Sequence, residues 1–376
     1  MDALVCRTCG KEHPLDSRIW QCPCGGLLDI RFTARFPRGR ITNRKPNMWR
    51  YREAIPIQDD SSIVSFDEGF TPMLDLDIGG RKVLFKSEHL HPTGSFKDRG
   101  ASVLISKARE LGITHVIEDS SGNAGAAIAA YCARAGIVSD IYVPASTSPQ
   151  KVAQIRAYGA HLKTIKGSRE DIADAALKAA TGKYYASHSY NPFFFQGTKT
   201  WAYEVWEQLD FKAPDMVVLP VGNGTLLLGA YLGFKDLLDA GESKAIPKII
   251  GIQTQNCAPL YDAFRSGKSE PTVSKVKAKD TMAEGIAIAS PVRGTQILKA
   301  VCDTDGIIIA VSEKEIASAL KWGFKQGLFI EPTAAATVAG VSKFVKGCKP
   351  EHIIVSAFTG HGLKASDKIA KIISPK

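Results

Sequence analysis

Three times in this chain an apolar run of strand length breaks into a glycine-bearing loop. Thr114–Asp119 runs into Ser120-Ser121-Gly122-Asn123-Ala124-Gly125 ahead of a small-residue helix, Ala126–Ala135. Met216–Val221 runs into Gly222-Asn223-Gly224-Thr225 ahead of Leu226–Leu238, and His352–Ala357 into Thr359-Gly360-His361-Gly362. Further strand candidates are Val83–Lys86, Asp140–Val143, Leu162–Ile165, Tyr184–Ala186, Lys248–Ile252 and Gly306–Val311. Helical patterns at Asp98–Leu111, Asn123–Gly136, Pro149–Tyr158 and Glu170–Ala180 separate them. Such alternation predicts an α/β chain, with parallel strands covered by helices. A glycine loop opening a helix also presents bare backbone N–H groups at a positive dipole end, which suits a phosphate.

Pro92-Thr-Gly-Ser-Phe-Lys97-Asp-Arg-Gly100 puts a lysine on a glycine-containing turn, beside an aromatic ring, rather than on a charged helix face. Desolvation frees the neutral amine that Schiff-base chemistry needs. No G-x-x-x-x-G-K-[ST] occurs, and Gly222-x-Gly224 lacks the third glycine and the later acid of a dinucleotide fingerprint. A phosphate site with such an amine and no nucleotide motif points to pyridoxal phosphate.

Pro92–Gly100, Ser120–Gly125, Pro220–Thr225, Glu331-Pro332 and Thr359–Lys364 occur in the order found in the threonine synthase branch of fold-type II pyridoxal-phosphate enzymes, which the chain resembles. Glu68-Gly69-Phe70-Thr71-Pro72 is similar to an early segment of that family, so the resemblance runs from about Ser65 to Lys364. It implies two parallel-sheet α/β domains of the tryptophan synthase β-like kind: a large one from residues 33–85 and 187–376, and a small one, 86–186, inserted in it. It also implies a homodimer, and roles for particular residues. Lys97 would be the cofactor-bearing lysine and the base that moves the α-proton. Asn123 would bond the cofactor's phenolic oxygen, and Gly222, Asn223, Gly224 and Thr225 would cradle its phosphate. Thr359 would face the pyridine nitrogen, where a neutral hydroxyl makes a weaker electron sink than a carboxylate and suits elimination or replacement at Cβ or Cγ. Ser120, Ser121 and Gly122 would hold the substrate carboxylate.

One segment departs from that pattern. Where the resembled family carries an arginine for the substrate's own phosphate, His188-Ser-Tyr-Asn-Pro-Phe-Phe194 carries Phe194, and Ala124 replaces a polar residue. Losing a charge-assisted contact of that kind removes about 1.5–3 kcal/mol. His188 is the remaining candidate for that substrate contact. The activity that the resemblance implies is threonine synthase, O-phosphohomoserine to threonine and phosphate. The alternative is a threonine/serine dehydratase or a β-replacement synthase on O-phosphoserine, similar to cysteate synthase.

Cys6-x-x-Cys9 and Cys22-x-Cys24 form two knuckles at the N-terminus, residues 1–32, close to a zinc ribbon in which four thiolates take tetrahedral corners. The single residue between Cys22 and Cys24 strains that geometry, so a metal-free ribbon stays open beside a zinc-bound one. Thr33–Asp59, rich in Arg and Pro, reads as an extended connector. The net charge of +10 is spread without a dense basic run, which favours anionic metabolites over nucleic acid as partners. No apolar run approaches the ~20 residues of a membrane span, and the polar N-terminus is unlike a signal peptide. The expected setting is cytoplasmic, with a small amino acid as the only partner besides a second copy of the chain.

Overall fold

In the computed structural model, which describes residues 2–167, 169–267 and 272–373, the chain resolves into two units. Met1–Glu68 groups with Lys97–Thr200, and Gly69–Phe96 with Trp201–Lys376.

The first unit holds two sheets. At its start Ala3–Cys6 lies antiparallel between Glu12–His13 and Leu28–Arg31. The larger sheet has four parallel strands in the order His161–Ile165, Val138–Pro144, His115–Glu118, Tyr184–Tyr185. Helix Lys97–Glu110 packs on Asn123–Ala135 and on Pro192–Thr198 at very close range. Glycine makes this approach feasible. A Cβ at Gly197 would lie 1.9 Å from the Arg99 carbonyl oxygen, and one at Gly100 would lie 2.3 Å from the Phe194 ring. Six of the nine buried residues of Asn123–Ala135 are Ala or Gly, and the helix ends at Gly136 with φ 68°.

Thr33–Asp59 is not extended. It folds into a helix, Arg38–Asn43, and a 3₁₀ stretch, Met48–Ala54, because its apolar residues have a core to enter. Met48, Trp49, Ile55 and Ile57 cluster with Val103 of the Lys97–Glu110 helix, and the Trp49 indole donates to Ser102 at 3.0 Å.

The second unit is built on one six-stranded sheet in the order Ile307–Val311, Lys248–Thr254, Met216–Pro220, Ile354–Ala357, Lys82–Lys86, Met73–Asp77. All neighbours run parallel except the last pair. Ile354–Ala357 is wholly buried, as a central strand covered on both faces must be. The edge strand Met73–Asp77 alternates apolar and acidic residues and stays half exposed. Glu313–Lys325 and Pro332–Phe344 pack together against this unit's core, the former opened by a capping box between Ser312 and Glu315.

Among the described residues, no helix is long and apolar enough to cross a membrane.

Candidate active site

In the first unit Lys97 is the first residue of helix Lys97–Glu110, which begins one residue earlier than the Asp98 start expected, so the lysine stands on the helix and not on the turn before it. Its Nζ lies over the Phe194 ring, 5.5 Å from the centroid. The ring under the amine is thus that of Phe194, far along the chain. Phe194 is fully buried and belongs to the apolar core with Ala101, Leu104 and Phe193.

His115–Glu118 ends at the loop that carries Ser120, Ser121 and Gly122, with Asn123 starting the next helix. All four are half-buried. Gly125 is required where the loop folds over this helix, since a Cβ there would lie 1.8 Å from the Ser120 carbonyl oxygen. The Ser120 hydroxyl accepts from the Gly122 N–H at 3.3 Å, which tightens the turn.

His188, the other substrate candidate, is buried and has Nδ1 2.8 Å from Oε1 of Glu118. Sequence reading did not single out Glu118. Its side chain is fully buried and Oε2 has no hydrogen-bond partner among the described residues. Burial pushes its carboxyl from 4.5 up to about 8, against the opposing pull of the Lys97 charge and of the Asp119 and His188 backbone N–H groups.

The second unit carries the Gly222–Thr225 loop and Thr359, the residues expected to meet the cofactor's phosphate and ring nitrogen. Gly224 caps helix Thr225–Asp239 in the left-handed region at φ 77°. A Cβ there would meet Ile297 at 2.4 Å, and one at Gly222 would meet Ile288 at 2.8 Å and Ile286 Cα at 2.9 Å. Only bare backbone fits, so this loop presents main chain at a helix start, the donor set a phosphate needs. Asn223 lies between the two glycines, and Thr225 is buried at the first helical position.

Thr359, just past Ile354–Ala357, donates through Oγ1 to Oε1 of Glu331 at 2.9 Å. Glu331 also holds the loop by its backbone, its N–H donating to the Gly360 carbonyl at 2.9 Å. A Cβ at Gly360 would lie 2.4 Å from the Glu331 carboxyl carbon, so a glycine is needed for this clasp. The His361 side chain accepts from the Leu363 N–H and serves as a cap in the turn.

The four N-terminal cysteines converge although Cys22 and Cys24 are separated by one residue. Their sulfurs lie within 4.8 Å of one another, with Cys6–Cys24 at 3.5 Å and Cys9–Cys24 at 3.4 Å. Gly10 at φ 70° and Gly25 at φ 84° turn the two knuckles, and Gly26 leaves room for the Cys6 sulfur, 2.6 Å from where a Cβ would stand. A hydrogen bond from the Cys9 backbone lowers the Cys6 thiol to about 6. The Gly26 backbone pulls Cys24 the same way, but the thiols of Cys9, Cys6 and Cys22 outweigh it and push Cys24 up to about 12. Four sulfurs this close resist carrying four charges unless a cation shares the site.

Comparison with known proteins bears on both units. Residues 64–360 match the family described as "Pyridoxal-phosphate dependent enzyme". A threonine synthase of Methanocaldococcus jannaschii is 36% identical over 96% of this chain and 93% of its own. One from Methanosarcina acetivorans is 36% identical over 96% of this chain and 92% of its own. Among solved structures, a T.th. threonine deaminase superposes with a TM-score of 0.65 at 25% identity, over 78% of this chain and 92% of that one.

Proposed function

This chain belongs to the threonine synthase family of pyridoxal-phosphate-dependent enzymes, and from that premise we propose that it eliminates or replaces a leaving group at Cβ or Cγ of an amino acid. The leading substrate is O-phosphohomoserine, converted to threonine and phosphate. Pyridoxal phosphate, when bound, supplies the electron sink that makes the α-proton acidic. The observation that carries this reading is Lys97 at the head of its helix, in Pro-Thr-Gly-Ser-Phe-Lys-Asp-Arg-Gly.

Lys97 would carry the cofactor and, once released, take the α-proton on Nζ and return it. Asn123 and the backbone of Gly222, Asn223 and Gly224, with the Thr225 hydroxyl, would hold the cofactor in place. The Thr359 hydroxyl would face the ring nitrogen, steadied by Glu331. Ser120, Ser121 and Gly122 would orient the substrate carboxylate. Cys6, Cys9, Cys22 and Cys24 would hold a structural zinc ion.

A second reading rests on Phe194. A buried phenyl group at the position of a phosphate-binding arginine favours a dehydratase, or a β-replacement synthase whose substrate phosphate is held elsewhere. The test is to incubate the purified protein with O-phosphohomoserine, O-phosphoserine, threonine and serine, with and without sulfide or sulfite, and to identify products by mass. Threonine and phosphate from O-phosphohomoserine support the leading reading. A 2-oxo acid and ammonia from threonine, with no turnover of O-phosphohomoserine, would replace it with the second.

A further inference from the structure

Glu118 is the least expected side chain in the first unit. It ends a strand whose inner residues, Val116 and Ile117, are fully buried, and it is as buried as they are. An isolated carboxylate in such a place is costly to desolvate, a cost that an apolar side chain of similar size would avoid. One oxygen meets His188 Nδ1 at 2.8 Å and the other has no hydrogen-bond partner among the described residues. His188 in turn stands edge-on to Phe194, ring centroids 6.1 Å apart, and Lys97 Nζ lies over that same ring. The charge of Lys97 is felt at Glu118. Other ionisable groups beside the pair, among the described residues, include Asp119 on the adjoining loop and Tyr185 on the neighbouring strand, whose phenol is pushed well up by burial and by both carboxylates.

We propose that Glu118 and His188 form a proton-holding pair that sets the charge of Lys97. With the pair anionic, Lys97 is held as an ammonium. When the Lys97 N–H bond breaks and an O–H bond forms on Glu118, both charges disappear and the lysine stands as a neutral amine. His188 tunes the exchange by favouring the Glu118 anion through its hydrogen bond. The pair acts through Lys97 and is a positioning device. It gives the half-buried lysine its neutral form, and it does so for any substrate. The consequence for turnover rests on Lys97 being the cofactor lysine, whereas the coupling itself does not.

The test reads the lysine directly. Cofactor-free full-length chain is pulsed with acetic anhydride across a pH series, and acetylation of Lys97 is counted by mass spectrometry against exposed Lys235. Glu118→Gln removes the anion, so Lys97 should react at lower pH, with labelling about tenfold faster at the native half-reaction pH for a shift of about one unit. His188→Asn should move the profile the same way, and Lys235 should not move. Coincident Lys97 profiles in native chain and both variants, each with a native melting curve, would overturn the proposal. Should Glu118→Gln fail to fold, carboxyl ¹³C spectra of the native chain decide. A glutamate that titrates in one window with the Lys97 ε-carbon supports the pair, and no glutamate above the ordinary range sinks it. Cofactor attachment at another lysine would remove Lys97 from the functional reading while leaving this coupling intact.

Discussion

Lys97 and Phe194 meet face to cation, the ammonium 5.5 Å from the ring centroid. A contact of this kind contributes about 0.5–2 kcal/mol to the charged lysine, depending on how dry it is. The same ring fills the space that Gly100 leaves on the lysine's own helix. Phe194 is therefore packing material and cation platform together.

Its replacement should separate those roles from substrate selection. Phe194→Leu should lower the urea midpoint, by about 1–3 kcal/mol of stability, because a smaller side chain leaves a void against Gly100. The ratio of kcat/KM for phosphorylated over unphosphorylated substrates should stay put, since the ring offers no charge to a leaving group. A collapse of that ratio would place the ring in contact with substrate.

Cofactor attachment is the most direct expectation. Purified protein should be yellow, and borohydride should fix a pyridoxyl group on Lys97. Lys97→Ala should lose the label and turnover, while its melting curve stays close to native. A pyridoxyl group recovered on any other lysine would break the assignment.

The cysteine cluster makes a separable prediction. Metal analysis should find about one zinc ion per chain. Cys9→Ser should lower that content and loosen the Ala3–Cys6 sheet, with the cofactor absorption band unmoved. Full native stability after complete chelation would mean that the thiols hold no structural ion.

The raised carboxyl of Glu118 has a stability consequence with a definite sign. Its ordinary value is 4.5 and its folded value about 8, so between these the folded chain keeps a proton that the unfolded chain has released. Stability from this site is greatest below 4.5 and falls as pH rises toward 8. Glu118→Gln, which does not titrate, should gain on the native chain across that window and level off above it. Urea midpoints at several pH values would show this, and a constant difference would count against the raised value.

Much of the architecture was readable because the signals were local. Inner strands such as Met216–Pro220 and Ile354–Ala357 are continuous apolar runs, and glycines mark where helices begin or end. The Ser120–Gly125 and Gly222–Thr225 loops stand out as glycine-bearing breaks after apolar runs, and the structure gives the reason, since a Cβ at Gly125, Gly222 or Gly224 would collide with its neighbours. The four sulfurs met across a spacing that looked one residue short, since the Gly10 and Gly25 turns absorb the difference. Other features depended on partners remote in sequence. Glu118 reads as an ordinary polar strand end until His188 closes on it, and Thr359 shows nothing of Glu331. The Arg- and Pro-rich stretch around Trp49 looked extended because its composition hides the few apolar residues that find Val103.

The six-stranded sheet also carries an instruction about synthesis. Lys82–Lys86 pairs with its hairpin neighbour Met73–Asp77 and with Ile354–Ala357, which registers Val355 against Leu84. Ile354–Ala357 likewise joins that hairpin to Met216–Pro220. On the ribosome the hairpin emerges early, with one flank unpaired until the last strand among the described residues appears. For most of translation this unit exposes a strand edge of the sort that seeks partners in other chains. A stop codon shortly before Ile354 would strand the hairpin for good, so a late truncation would damage a sheet whose other strands are all still present.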